Sequence, residues 1–222
     1  MQYSDFIKTL QSYAEEEFAI FQRSLIPTKR TIMGVRTPTL RRLAKTYKGN
    51  LDELFAYPNE YYETVFIKLA IVASLPYDQF IKYLEPCVGL IDNWALCDSF
   101  KCKAISHHKK DFLPILDKLF TNNTEFYQRY VLVTLLYYYL EMEDFSIVQA
   151  YIKRANTQKY YVYMAVAWLV AEVLVKHYDN GLTLLQSIQS DTKTYNKAIQ
   201  KAIESFRISK EQKETLRSLK IK

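Results

Sequence analysis

The stretch YVYMAVAWLVAEVL, residues 161–174, decides the fold, because it is apolar over about four helical turns and belongs to a series. Similar stretches begin at Tyr62, Trp94, Tyr127 and Tyr195, so that successive members start 32 to 34 residues apart. Each begins with an aromatic residue and continues with apolar residues at helical spacing. Shorter amphipathic segments precede the later four, at residues 78–91, 110–120, 143–154 and 179–190. Helix pairs that repeat at this period predict an α-solenoid, with a plain helical bundle as the alternative.

The composition also favours an all-α chain. Of the 222 residues, 49% are hydrophobic, but only four are Gly and six are Pro. Folds rich in β-strands concentrate Gly, Pro and Asn-Gly steps at their turns, and this chain has few of them. Its Asn-Gly step, within DNGL at Asp179–Leu182, is interpreted as a loop between two helices. We therefore expect one all-α domain that spans residues 1–222, which is long enough for a continuous core.

Cysteine usage and hydropathy bear on the compartment. Cys87, Cys97 and Cys102 are odd in number and lack Cys-x-x-Cys spacing, and the three His do not complete a zinc site with them. We therefore expect free thiols in a reducing compartment, and no metal. The N-terminal sequence lacks the pattern of a signal peptide, and no apolar run reaches the roughly 18 residues of a membrane span. The expectation is a cytoplasmic protein without a membrane partner.

Positive charge is concentrated in two parts of the chain. The net charge is +6, with a pI of about 9.0. Residues 28–50 include seven basic residues and no acidic one, and residues 193–222 include nine basic and three acidic residues. Two basic segments around a nearly neutral middle indicate a surface that meets a polyanion, and solvated helix faces are the alternative explanation.

Four residues in the recurring stretches are candidates for a functional site. WALCDSFKCKAI, residues 94–105, is predicted as one helix and places Trp94 and Asp98 one turn apart on the same face. In the frame of the repeat, Trp168 shares that face. Arg129 falls at an offset that points elsewhere in an ideal helix, but repeat frames drift by a residue or two, so the periodicity neither places it on that face nor excludes it. Spacing alone leaves the ordinary alternatives open: tryptophans in the core, a solvated aspartate and a surface arginine.

Five motifs lie in order along nearly the whole chain. They are GVRTPTLRRLAK (34–45), DNWALCDS (92–99), YQRYVLVTLLYYY (127–139), YYVYMAVAWLVAE (160–172) and NKAIQKAIESFRIS (196–209). Together they resemble the HEAT-like-repeat DNA alkylation repair family, the AlkD-like DNA glycosylases. The resemblance implies an α-solenoid of HEAT-like repeats whose concave basic groove holds a DNA duplex. It also implies a monomer that removes cationic N3- or N7-alkylated purines from double-stranded DNA without a cofactor.

The resemblance assigns a role to each candidate residue. It implies that Trp94 and Trp168 flank the sugar and backbone of the lesion, that Asp98 is the catalytic aspartate, and that Arg129 grips the phosphate backbone. These residue types suit the chemistry. A carboxylate stabilises oxocarbenium character on the deoxyribose, indole faces attract cations, and a guanidinium binds phosphate through two N–H groups.

One segment departs from the family pattern. Active members carry a helix near the N-terminus that enters the DNA minor groove, whereas Ser24–Pro38 in this chain is too short for an additional helix and contains Pro27. Members without that helix bind DNA poorly and lack glycosylase activity. Two alternatives therefore stand beside the glycosylase: a weak or inactive paralog that binds DNA or another nucleic-acid structure, and a helical-repeat scaffold for a protein partner.

Overall fold

The computed structural model describes residues 2–221, and all regular structure within them is helical. This part of the chain contains fourteen α-helices, three short 3-10 helices and no β-strand, which confirms the all-α class. The chain divides into two compact units, Met1–His108 and Lys109–Lys222. Within residues 2–221, no helix combines the length and the apolar character that crossing a membrane would require.

The described part of the first unit contains seven α-helices, and four of the others pack against the fifth. They are α1 (Tyr3–Gln11), α2 (Glu16–Leu25), α3 (Thr37–Thr46), α4 (Leu51–Ala56), α5 (Tyr62–Val72), α6 (Tyr77–Gly89) and α7 (Trp94–Ser99). Helix α5 packs against α3, α4, α6 and α7. All of its residues from Tyr62 to Leu69 are buried, so this helix has no solvent-facing side over two turns.

The described part of the second unit also contains seven α-helices. They are α8 (Lys109–Thr121), α9 (Glu125–Tyr138), α10 (Phe145–Arg154), α11 (Tyr160–Lys176), α12 (Tyr178–Ser187), α13 (Thr192–Glu204) and α14 (Lys210–Ser218). Helix α11 packs against α9, α12 and α13, and α10 packs against both α9 and α12. The recurring helices thus contact one another, and so do the helices that precede them.

The predicted repeat is present. Tyr62 and Trp94 open α5 and α7, and Tyr127, Tyr161 and Tyr195 lie in the first turns of α9, α11 and α13. The four amphipathic segments form α6, α8, α10 and α12. Within each unit the recurring helices stack, α5 on α7 and α9 on α11 on α13. This arrangement confirms the α-solenoid class, while the concave basic groove stays a prediction.

The helix predicted over residues 94–105 is shorter than expected. Helix α7 ends at Ser99, and Phe100 leaves the helical conformation with φ −82° and ψ 79°. Phe100 and Cys102 are both buried, and a short 3-10 helix follows over Lys103–His107. In a continued α7, Cys102 would lie one turn after the partly exposed Asp98 on the same face, so the burial of Cys102 overrides the local helical pattern.

The interpretation of DNGL as a loop is wrong, because this segment lies inside α12. A Cβ atom added to Gly181 would lie 2.5 Å from Cα and 2.6 Å from the backbone nitrogen of Leu174 in α11. Real Cβ atoms do not approach a backbone so closely. The glycine therefore permits two helices to touch and does not form a turn.

Two charged side chains on α5 are fully buried, and both bind backbone groups. One carboxylate oxygen of Glu63 accepts hydrogen bonds from the N–H groups of residues 33–35, at 2.9 to 3.4 Å. The ammonium of Lys68 donates to the carbonyl of Tyr57 at 2.8 Å and to the side-chain oxygen of Asn59 at 2.7 Å. Burial raises the pKa of the Glu63 carboxyl and lowers the pKa of Lys68 to about 8.

We expect Gly181→Ala to lower the free energy of unfolding by about 1–3 kcal/mol, because the added methyl group meets the backbone of α11. Gly49→Ala is the matched control, since a Cβ atom there meets nothing within 4 Å. The control should be within about 0.5 kcal/mol of wild type or slightly more stable. Urea unfolding of the three proteins measures the difference. Equal stability of the two variants would show that the contact between α11 and α12 tolerates a side chain.

The buried amine of Lys68 gives the stability a distinct pH dependence. Its pKa in the folded chain, about 8, lies below the ordinary value of 10.5, so the unfolded state binds more protons between these values. The wild type should therefore gain stability relative to Lys68→Met as the pH rises from 8 to 10.5, by at most about 3 kcal/mol.

Denaturant unfolding of both proteins across this pH range tests the prediction. Lys82→Met, at an exposed position of α6, controls for the loss of a lysine as such. If the difference in free energy of unfolding between wild type and Lys68→Met stays constant with pH, the predicted role of the Lys68 amine is wrong.

Candidate functional site

Trp94 and Asp98 lie one turn apart on the same face of α7, at positions i and i+4, as the spacing predicted. The helix is held at its start by Asn93, which is fully buried. The side-chain oxygen of Asn93 accepts a hydrogen bond from the backbone N–H of Leu96 at 3.0 Å, which is the usual bond of an N-cap. A buried cap fixes where the helix begins, and thereby fixes the direction of both candidate side chains.

Trp94 is not a core residue. Its side chain is 37% exposed, which excludes the ordinary alternative of a buried indole. The indole N–H donates to the backbone carbonyl of Leu25 at 3.1 Å, at the end of α2. The ring is therefore tied at its polar edge while part of its surface stays accessible. Asp98 is partly exposed on the same turn.

The residues around this turn separate into buried thiols and exposed lysines. Cys97 and Cys102 are buried free thiols, and burial raises the pKa of Cys102. A raised pKa disfavours the reactive thiolate, so this thiol is a structural residue. Lys101 and Lys103 follow the end of α7 and are exposed. Both lysines lie within five residues of Asp98 along the chain.

Arg129 lies in the second unit, on α9, and it is only 6% exposed. This burial excludes the alternative of a surface arginine. One guanidinium N–H donates to the carbonyl of Tyr161 at 3.0 Å, and the guanidinium carbon lies 5.8 Å from the centre of the Tyr161 ring. The side chain therefore ties α9 to the start of α11.

Trp168 is half-buried on α11 and meets Tyr137 edge to face, with ring centres 6.2 Å apart. It also lines a cavity of about 290 Å³ within the second unit. Charged residues of both signs share this cavity, and Arg207 and Glu172 form an ion pair there at 2.8 Å. The other lining residues are Ala171, Val175, Lys201, Glu204 and Ser205.

The segment Ser24–Pro38 contains no helix of its own, as the sequence predicted. Helix α2 ends at Leu25 and α3 begins at Thr37, and the residues between them are not helical. Thr31 pairs with the chain before α5 through two backbone hydrogen bonds, of 2.9 and 3.0 Å. This segment is therefore fastened to the body of the first unit.

Part of the basic character of residues 28–50 is used inside the first unit. Arg30 forms an ion pair with Asp92 at 2.5 Å, and Arg36 forms one with Glu15 at 2.7 Å. Arg41 and Lys45, by contrast, are exposed on α3. The charge that can meet a polyanion is therefore smaller than the composition indicates.

Sequence reasoning missed Thr28, Arg30 and Asp92, all of which lie beside the start of α7. The hydroxyl of Thr28 donates to Asp92 at 2.6 Å, and Arg30 pairs with the same carboxylate. Asp92 stands directly before the N-cap Asn93, and that position is the one signal in the sequence that could have pointed to it. Its partners are more than sixty residues away along the chain, so no local pattern reveals them.

The chain is similar to a known protein family. The family model described as DNA alkylation repair enzyme matches residues 6–206, which is nearly the whole chain. No match is found among curated proteins.

Proposed function

This chain belongs to the DNA alkylation repair enzyme family, and from that premise we propose that it hydrolyses the N-glycosidic bond of cationic N3- or N7-alkylated purines in double-stranded DNA. One observation carries the proposal more than any other. An accessible indole, Trp94, and a carboxylate, Asp98, share one turn of a helix that begins at a buried N-cap. Such a pair suits the sugar of a lesion whose base is already positively charged.

The proposed reaction needs no acid to protonate the leaving base. The bond between C1′ of the deoxyribose and the purine nitrogen breaks, and its electron pair neutralises the cationic base. Positive charge then develops on the sugar ring, and the carboxylate of Asp98 stabilises it. A water molecule adds to C1′, and its proton passes to the carboxylate and then to solvent. Asp98 is the catalytic residue in this scheme.

The aromatic residues have a binding role in the proposal. The accessible surface of Trp94 packs against the sugar and attracts the positive charge of the transition state. Its indole N–H already binds Leu25, so the ring needs little reordering when the substrate arrives. Trp168 has the same proposed role from α11, where its contact with Tyr137 holds the ring.

We propose that Arg129 contacts a backbone phosphate. A guanidinium has five N–H donors, and its planar shape suits phosphate oxygens. Because Arg129 is only 6% exposed, the phosphate has to reach the edge of a guanidinium that Tyr161 already orients. Low exposure also reduces the freedom that the side chain loses on binding.

A binding module without catalysis is the second candidate, and the absence of a helix between Leu25 and Thr37 favours it. A protein without an element that enters the minor groove holds the lesion less firmly. The same residues then serve to bind a nucleic-acid structure, and the exposed Arg41 and Lys45 supply charge for it.

We expect release of N7-methylguanine and N3-methyladenine from methylated duplex DNA at enzyme excess. Asp98→Asn should lower the single-turnover rate constant at least about a hundredfold, because loss of the carboxylate removes the stabilisation of the developing positive charge. Asp78→Asn makes the same chemical change at an exposed position of α6 and should keep the wild-type rate.

The two possible failures have different meanings. Wild-type release by Asp98→Asn would remove Asp98 from the mechanism. No release by the wild-type protein would exclude the glycosylase and leave the binding module as the function to test.

DNA affinity should fall steeply with salt, because phosphate contacts release counterions. Six to ten such contacts weaken binding by about 10³ to 10⁵ between 50 and 200 mM salt. Arg41→Gln should lower the slope of log affinity against log salt by about one. Arg154→Gln removes the same charge from α10, where this arginine pairs with Asp117, and serves as the control. Affinity for DNA that is independent of salt, or no affinity at all, would favour a scaffold for a protein partner.

A further inference from the structure

Three polar contacts join the start of α7 to Leu25, the last residue of α2, and to residues 26–36, which connect α2 to α3. The carbonyl of Leu25 accepts the indole N–H of Trp94 at 3.1 Å. The hydroxyl of Thr28 donates to one oxygen of Asp92 at 2.6 Å, and a terminal nitrogen of Arg30 lies 2.5 Å from the other oxygen. The part of the chain that carries no helix is therefore attached to the turn that carries Trp94 and Asp98.

Asp92 connects the segment to α7 through the N-cap residue Asn93. Its carboxylate accepts a hydrogen bond at 2.7 Å from the side-chain nitrogen of Asn93. A carboxylate only accepts hydrogen bonds, so it can meet only the NH₂ end of the amide. The oxygen of the amide then faces the backbone N–H of Leu96 and caps α7 at 3.0 Å. Asp92 thus determines the orientation of the Asn93 side-chain amide, with its nitrogen toward Asp92 and its oxygen toward Leu96.

Arg30 holds Asp92 in place from a fixed position. Its Nε donates to the backbone carbonyl of Asn59 at 3.0 Å, and its Nη2 donates to the carbonyl of Leu90 at 2.8 Å. The remaining terminal nitrogen faces Asp92, and the side chain is only 14% exposed. Lys68 in turn binds the side chain of Asn59. One rigid guanidinium therefore joins the end of α6, the chain before α5 and the carboxylate before α7.

We propose that Arg30, acting through Asp92, is a positioning residue that sets the direction of the turn bearing Trp94 and Asp98. The proposal rests on the proposed function, which assigns substrate binding to Trp94 and catalysis to Asp98. Asp92 is separated from the turn by Asn93 alone, and Arg30 acts through Asp92. Small displacements of a catalytic group cost large factors in rate, so a group that orients the turn acts on the chemical step.

Variants at the two residues separate positioning from simple electrostatics. Arg30→Gln removes a positive charge, whereas Asp92→Asn removes a negative one. If these residues acted only through their charge, the first variant would weaken DNA binding and the second would strengthen it. Positioning predicts instead that both variants lower the rate constant of base release at saturating enzyme. The double variant should be no slower than the slower single one, because both changes break the same contact.

The first readout does not depend on activity. The chain has two tryptophans, so Trp168→Phe leaves Trp94 as the only indole that reports by fluorescence. In that background, Arg30→Gln and Asp92→Asn should shift the emission of Trp94 to longer wavelength and increase its quenching by acrylamide about twofold. Arg36→Gln is the matched control, because it removes the same charge from the same segment at an exposed ion pair with Glu15. Its emission should equal that of the background.

The second readout is the single-turnover rate constant for release of N7-methylguanine, with DNA affinity measured on the same variants. We expect Arg30→Gln and Asp92→Asn to lower the rate constant at least tenfold, while Arg36→Gln leaves it unchanged. Circular dichroism confirms that each variant is folded. Thr28→Val removes the hydrogen bond to Asp92 and the one that the hydroxyl accepts from the backbone N–H of Arg30, keeps both charges, and replaces any variant that does not fold.

The outcomes distinguish this inference from the function on which it rests. Unchanged Trp94 fluorescence in all variants overturns the positioning role, whether or not base is released. Opposite changes in rate for the two charge variants also overturn it and favour an electrostatic role. Altered fluorescence together with no base release by the wild type would keep the positioning of the turn and reject the glycosylase.

Discussion

The structure depends on one constraint: three of the recurring helices, α5, α9 and α11, are packed on so many sides that most of their residues are out of reach of water. A buried polar group has to find a partner inside the protein, or its desolvation destabilises the fold by several kcal/mol. Four such residues bind backbone groups of neighbouring segments. They are Glu63 and Lys68 on α5, and Gln128 and Arg129 on α9. Each partner segment lies outside the helix that bears the side chain. The polar residues of the central helices therefore hold the connecting segments in place.

This constraint also shapes the candidate site. Lys68 donates a hydrogen bond to the side chain of Asn59, and the backbone carbonyl of Asn59 accepts one from Arg30. Arg30 in turn forms an ion pair with Asp92, which precedes α7. The short helix with the accessible indole and the aspartate is thus supported by a chain of contacts that begins in the core. A helix of six residues is too short to be stable by its own hydrogen bonds, so its direction comes from this support. The same contacts withdraw positive charge from the surface, which makes net charge a poor guide to how strongly the protein binds a polyanion.

Much of the architecture could be predicted from the pattern of residues. The repeat of aromatic and apolar residues located the starts of α5, α7, α9, α11 and α13 to within three residues. The signal is strongest in α5, α9 and α11, because helices that pack on several sides are apolar all round. The amphipathic segments located their partners for the same reason. Two local predictions were wrong. The DNGL step lies within α12, because its glycine permits close contact with α11, and α7 ends early, because Phe100 and Cys102 are buried. Both outcomes depend on contacts with other segments of the folded chain, and the local sequence pattern does not show these contacts.

The sequence by itself determined the helical class, the period of the repeat and the placement of Trp94 and Asp98 on one turn, since these follow from spacing along a single helix. Only the tertiary structure decided that the indole of Trp94 is accessible, that Arg129 is buried against Tyr161, and that Arg30 serves an ion pair with Asp92. The physical reason is the range of the interactions. Helical periodicity comes from contacts three and four residues apart, whereas the partner of a buried charge is chosen by which segment lies against it in the folded chain.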